Sequence, residues 1–217
     1  MPEFLSFKKS IKFLKPIVAL YYVYVVTGIL PVITYIVSKY QKKIISNKVF
    51  NFLFIFSIQR LVTDILAIYL SFQFQNSFPA IHISVFLSFI FGINIFNKIR
   101  KIKILNLLYF IGLFVFIMDL TISSTIFKSC IFSSITTFTI IITLCIQTLQ
   151  LENISIENEK ITSTFFIFYL TAFAYYLFQD LMAFSNKIMF TGFLLFILVN
   201  ILFNFSITHI IWSKRKT

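Results

Sequence analysis

Acidic residues are scarce: seven Asp and Glu stand among 217 residues, against 19 Lys and Arg. Charged residues make up 12% of the chain, about half the usual share of a soluble domain, whose surface must meet water. That deficit excludes a soluble enzyme, a disordered tail and a secreted disulfide scaffold. Glycine is equally sparse, with Gly28, Gly92, Gly112 and Gly192 the whole complement. No GxxxG helix-pairing motif can be built from them, nor the matched Gly/Pro interruptions of a broken-helix transporter. No filter-like loop or ring of charge supports a channel. The two cysteines, Cys130 and Cys145, fall in one predicted helix about 22 Å apart and cannot bridge. No Cys/His spacing resembles a zinc site, so neither metal nor cofactor is expected.

What fills the space instead is apolar. Hydrophobic residues make up 59% of the chain and include 31 Phe, with a mean hydropathy of +0.94. A bilayer core about 30 Å thick needs roughly 20 apolar residues of helix. Seven runs meet that length, at about 16–38, 49–73, 78–97, 104–122, 129–149, 161–183 and 188–212. They are too long for the roughly ten-residue alternating strands of a membrane barrel. The expected fold is therefore all-α, a polytopic transmembrane bundle of seven spans forming one membrane domain. Pro16 and Pro79 suit the first turns of spans one and three, where a missing N–H costs nothing, whereas Pro31 should kink span one near Thr27 to Leu30. The weakest boundary lies between spans four and five. It is marked by Ser123, Ser124, Thr125 and Lys128, and a six-span reading with a distorted helix competes there. The first apolar run is too long for a signal-peptide core, and no small-x-small site follows it before Lys39. It is expected to be a retained helix.

Basic residues divide unevenly across such spans. Six (Lys8, Lys9, Lys12, Lys15, Lys128, Lys187) fall on the side of the N-terminus and twelve on the other, including Lys39, Lys42, Lys43 and Lys48 and the run Lys98 to Lys103. The positive-inside rule then puts the C-terminus in the cytoplasm and the N-terminus outside, in an integral protein of a bacterial inner membrane. Residues 1–15 interleave Phe4, Leu5, Phe7, Ile11, Phe13 and Leu14 with lysines, the pattern of an amphipathic segment in the headgroup layer. The excess of +12 thus reads as topology signal and lipid anchor rather than as a nucleic-acid surface. Membrane lipids are the expected partners, with a membrane-protein partner or larger complex beside them.

Ionisable side chains inside spans are the informative ones, since each costs at least about 2.5 kcal/mol at a helix centre unless paired. Three of the seven acids, Asp64, Asp119 and Asp180, lie in spans two, four and six, with Arg60 mid-span in two and His82 and His209 in three and seven. Span two sets Ser57, Arg60, Asp64, Ala67 and Ser71 on one face, with Arg60 and Asp64 at pairing distance. Span five carries a Ser/Thr stripe from Ser129 to Thr143, span six lines up Thr162, Tyr169, Tyr176 and Asp180, and span seven Asn200, Asn204 and Thr208. By topology Asp64, Asp119, Asp180 and His82 fall in the membrane half nearer the N-terminus, joined by Gln179 and Tyr176. A polar pocket opening to the outer side is expected there, with Arg60 as its floor. The plainer alternatives stay open. Arg60–Asp64 is then an intrahelical pair, Asp119 and Asp180 are interfacial, the Ser/Thr stripes serve helix packing and the Phe load faces lipid.

In its order of features the chain resembles the small, uncharacterised seven-helix membrane proteins common in Bacteroidota. Those features are Leu30–Pro31 followed by Tyr40, Lys42 and Lys43, then Asp64 on a polar face, Asn76 to His82 opening the third span, and Glu157 before an aromatic sixth span. The resemblance covers most of the chain and implies a shared fold, not an activity. The excess of Lys over Arg and the Ile and Phe load fit an AT-rich genome. Two functional expectations follow from the residues. The first is a non-enzymatic, sensor-like or accessory subunit binding a lipophilic ligand or a membrane partner. The second is an intramembrane lipid hydrolase similar to the lysoplasmalogenase-like family, with Asp64, Asp119 and Asp180 as acid/base groups and His82 assisting. That family is usually read as having eight spans, and its motifs find no residue-by-residue match here.

Overall fold

Apolar runs separated by short polar breaks leave the backbone one way to satisfy its N–H and C=O groups in lipid, and that is helix. The computed structural model describes residues 2–41, 48–74, 78–122, 131–177 and 186–213. Among them are seven helices: α1 (Pro2–Tyr40), α2 (Lys48–Phe74), α3 (Phe78–Arg100), α4 (Leu105–Ile122), α5 (Ile131–Leu149), α6 (Ile156–Leu177) and α7 (Asn186–Ser213). Five contain stretches long and apolar enough to cross a membrane: Tyr22–Tyr40, Lys48–Leu70, Ala80–Arg100, Phe132–Leu149 and Thr191–Ser213. The apolar stretch of α4, Leu105–Thr121, is shorter, and α6 carries Glu157 and Glu159 in its first turn. The chain is a helical bundle of an integral membrane protein.

One expectation about the helices is corrected, and the competing six-span alternative falls away. Helix α1 begins at Pro2, not near residue 16, so Pro16 lies inside it and residues 2–15 continue the same helix. A proline there removes one backbone hydrogen bond, but a lysine-interleaved apolar stretch before it and an apolar run after it are both compatible with helix, and the helix continues through. The distorted single helix spanning 104–149 does not form either. Helices α4 and α5 are separate, and Ser133 near the start of α5 donates to Asp119 near the end of α4 at 2.6 Å, as in a helical hairpin.

Local chemistry sets several ends. At the C-terminus of α3, Lys101 takes a left-handed conformation (φ 49°) and its N–H donates to the Asn97 carbonyl at 3.0 Å, satisfying one carbonyl of the last turn, while Asn97 Oδ1 accepts from the Ile102 N–H at 2.8 Å. At the start of α6, Ser155 Oγ accepts from the Asn158 N–H at 3.3 Å, three residues on, which is an N-cap.

Helix packing makes a ring in the order α1, α2, α3, α5, α6, α7 and back to α1, with α4 outside it against α3 and α5. Side chains sort inside out relative to a soluble protein. Large apolar residues such as Val26, Val62, Phe110, Leu195 and Leu202 are exposed, whereas Thr27, Gln59, Arg60, His82, Asp119, Asn200 and Asn204 are buried. That arrangement suits hydrocarbon outside and hydrogen bonds within. One part of the ring interior is filled by aromatic rings: Phe56, Phe165 and Phe203 pack with centroids 5.2–6.0 Å apart, and Phe96 meets Phe165 edge-on. The glycine scarcity has local meaning at Gly112 of α4. A Cβ there would lie 2.2 Å from a ring carbon of Phe89, so the absence of a side chain lets α4 lie against α3.

Candidate functional site

Immediately beside this aromatic packing sits Arg60. Its guanidinium lies over the rings of Phe168 and Phe203, 4.5 and 4.9 Å from their centroids, and 6.0 Å from that of Phe56. Aromatic faces stabilise a desolvated cation by about 2 kcal/mol, which helps to explain how a side chain only 8% exposed keeps its charge in a bundle interior. Its Nη2 donates to Tyr24 Oη at 3.2 Å and to Asn200 Oδ1.

Arg60 and Asp64 share a face of α2, as the spacing predicts, but they do not pair directly. Tyr24 of α1 stands between them, accepting from Arg60 and donating its own proton to Asp64 Oδ2 at 2.5 Å. The intrahelical pair expected from the four-residue spacing is therefore a three-residue bridge through a hydroxyl on another helix. The ring closure that brings α1 beside α2 inserts that hydroxyl. The bridge joins a wider network. Asn200 Nδ2 donates to the Phe196 carbonyl at 2.6 Å, and Asn204 donates to Thr27 Oγ1 at 3.3 Å. On the other flank of α2, Thr63 Oγ1 lies 3.2 Å from Ser84 Oγ and Gln59 Oε1 accepts from Ser88 Oγ at 3.3 Å. Tyr169 of α6 donates to the Ser88 carbonyl at 3.0 Å, and its hydroxyl oxygen lies 3.3 Å from where a Cβ on Gly92 would stand.

Of these residues Tyr24, Arg60, Thr63, Asp64, Ser84, Ser88, Tyr169 and Asn200 line a cavity of about 410 Å³ to which all six ring helices contribute, within the size range of small-ligand sites. Most of its wall is apolar or aromatic, with Phe138, Phe168, Tyr175, Tyr176, Phe193 and Phe196 among its members, and Arg60 and Asp64 are its ionisable pair of opposite charge. Tyr22, which is 54% exposed, also lines it. The lining comes from the first half of α3 and α7 and the second half of α2 and α6, which is one half of the bundle.

Of the expected site residues, Arg60, Asp64 and Tyr176 therefore meet at one cavity. His82 and Asp119 do not line it. They face each other between α3 and α4, His82 Nδ1 lying 3.7 Å from Asp119 Oδ2, and Asp119 also accepts from Ser133. Both are buried. The reason is geometric: depth along a helix is not azimuth. His82 lies against Asp119 of α4, and α4 lies outside the ring. Gln179 and Asp180 fall outside the described residues, as do Cys130 and the side chain of Ser71. His209 is exposed and lines a separate surface groove with Glu159 and Lys160, between α6 and α7. No group of three or more metal-ligating side chains occurs among the described residues.

Tyr24, Thr63, Ser84 and Ser88 belong to the site but are absent from the sequence-derived set. Tyr24 is one of three tyrosines within residues 21–24, and nothing in that cluster distinguishes the one that turns inward. Asn200 was legible as part of a polar stripe on α7, though without a partner. In comparisons with known proteins, the chain matches no family model, no curated protein and no solved structure.

Proposed function

We propose that the chain is a seven-span, non-enzymatic membrane protein, sensor-like or an accessory subunit, that binds a lipophilic ligand in the central cavity. One observation carries the reading: a largely apolar and aromatic cavity of about 410 Å³ with a single buried Arg–Tyr–Asp bridge on its wall. Apolar pockets with few, fixed polar groups are what small-molecule recognition uses. The lysoplasmalogenase-like alternative draws less support, because it needs carboxylates reaching a common water. Among the described residues Asp64 is the carboxylate on the cavity wall, and Asp119 is engaged by His82 and Ser133 elsewhere. The topology in this reading has the N-terminus outside and the C-terminus in the cytoplasm of a bacterial inner membrane, and the grouping with small seven-helix Bacteroidota proteins belongs to it. The reading is tested by native mass spectrometry of protein purified in mild detergent. The wild type should retain a small lipophilic species, and Ala67→Phe, which places a ring in the cavity, should lose it while keeping its thermal midpoint. Bare wild-type protein, or equal occupancy in both, counts against the proposal. A fluorescent protein fused after Thr217 should be bright, and an alkaline phosphatase fused there inactive; the reverse overturns the orientation.

A further inference from the structure

Resting on that reading, the polar groups of the cavity narrow the chemistry of its occupant. Arg60, the cation of the site, is more than nine-tenths buried. Its two amino groups differ in state. Nη2 is spent on Tyr24 and Asn200, whereas Nη1 is fully buried and makes no hydrogen bond within the protein. A guanidinium carries its N–H donors in a rigid planar fork, so with Nη2 fixed and Phe168 and Phe203 holding the plane, Nη1 cannot swing to another acceptor. Leaving a buried charged donor unmet is among the costliest arrangements a protein interior holds, and Arg60 is one of the residues that line the cavity. The occupant therefore needs a hydrogen-bond acceptor at that end.

Charge decides which acceptor. Arg60 already has its counter-charge on the same wall, since Tyr24 joins it to Asp64. A carboxylate or phosphate would bring a second negative charge beside Asp64 in an apolar surround, where a like charge is strongly disfavoured. An alcohol fits less well than a carbonyl, because it brings a donor that needs its own acceptor. We infer that the cavity takes an amphiphile whose buried end is an uncharged carbonyl oxygen, accepting from Arg60 Nη1, with its apolar remainder against the cavity aromatics.

Three probes of matched medium chain length test this on the detergent-purified full chain by competition binding in native mass spectrometry: methyl nonyl ketone, undecane and undecanoate. The wild type should prefer the ketone over the hydrocarbon by roughly tenfold or more, as a hydrogen bond from a charged donor supplies, and over the carboxylate as well. The double variant Arg60→Met/Asp64→Asn removes both charges together, so neither is left uncompensated. It should bind ketone and hydrocarbon equally. Carboxylate preferred over ketone in the wild type overturns the uncharged head. A ketone preference surviving in the double variant, or no preference in the wild type, overturns the role of Arg60. Both of these outcomes leave the lipophilic cavity standing, whereas failure of all three probes to bind removes the cavity reading itself.

Discussion

Replacing Arg60 by Met tests the bridge most directly, because the side chain keeps its length and apolar contacts while losing its charge. The two Nη2 hydrogen bonds, to Tyr24 and Asn200, are each of a kind that averages about 0.6 kcal/mol between membrane helices. The stacked rings of Phe168 and Phe203 add about 1–2 kcal/mol for a desolvated cation. The largest part comes from what remains: Asp64 keeps its bond from Tyr24 but loses the cation that Tyr24 connected it to. Removing one partner of a buried charge pair typically costs 3–5 kcal/mol, and about 3–4 kcal/mol is expected here. Asp64→Asn alone should cost less, about 1–2 kcal/mol, because the amide oxygen can still accept from Tyr24. The double variant should then be no worse than Arg60→Met, giving a coupling of about 2 kcal/mol between two residues with no direct contact. Unfolding free energies in mixed micelles, measured for wild type, both singles and the double, supply the cycle. Additivity within about 0.5 kcal/mol would mean that Tyr24 does not connect the pair and would refute the reasoning.

Other consequences are simpler to check. Tyr24→Phe removes the hydroxyl that joins Arg60 to Asp64 and should destabilise by about 1–2 kcal/mol by the same unfolding measurement; an unchanged protein contradicts the bridge. Gly112→Ala sets a methyl against the Phe89 ring and should lower stability by about 1–3 kcal/mol through overpacking. Adding Phe89→Leu should recover most of that loss in a thermal scan, and no recovery would mean that the glycine serves something other than this contact. Asp64→Asn and Asp119→Asn should act additively within about 0.5 kcal/mol, since one residue lines the cavity and the other pairs with His82 between α3 and α4. Strong coupling between them would restore the single cluster that depth alone suggested.

Much of the bundle was legible because lipid makes the rule for helices simple: length and apolarity bring the expected ends of α2, α4 and α5 within two residues of the structural ones. Pro16 does not mark a helix start, because apolar helical sequence continues on both sides of it. The site divided more sharply. Polar stripes announced which faces of α2 and α7 turn inward, because a polar face exposed to hydrocarbon is costly. They could not say which stripes meet. Spacing along one helix made Arg60 and Asp64 look self-sufficient, while the hydroxyl that separates them comes from 36 residues earlier than Arg60. Asp119 and His82 meet each other and not the cavity, since a seven-helix sequence does not state which helix the ring leaves out.

The expulsion of α4 has a consequence for where polar chemistry can sit. Closing a ring without α4 makes α3 a neighbour of α5 and α7 a neighbour of α1. Along the α7–α1 seam, the pairs at one level are Tyr24 with Asn200, through Arg60, and Thr27 with Asn204. Residue numbers rise together on the two helices, so they run parallel. A parallel seam cannot be made by a short loop and has to be specified by side chains, and in lipid apolar contacts discriminate poorly because the tails are as apolar as the helices. Hydrogen bonds with partners at fixed depth discriminate well. The network on Arg60 therefore does two things at once: it registers α1, α2 and α7 against one another, and it leaves one arm of the same guanidinium, Nη1, without an acceptor on a residue that lines the cavity. An occupant that accepts from Nη1 draws on the group that sets the seam, so binding and helix registry become linked quantities. Ligand that stabilises the wild type against unfolding should lose much of that effect in Asn200→Leu, where Nη2 keeps only Tyr24 of its two acceptors; thermal midpoints with and without the ketone probe decide it, and an equal upward shift in both proteins would separate the seam from the site.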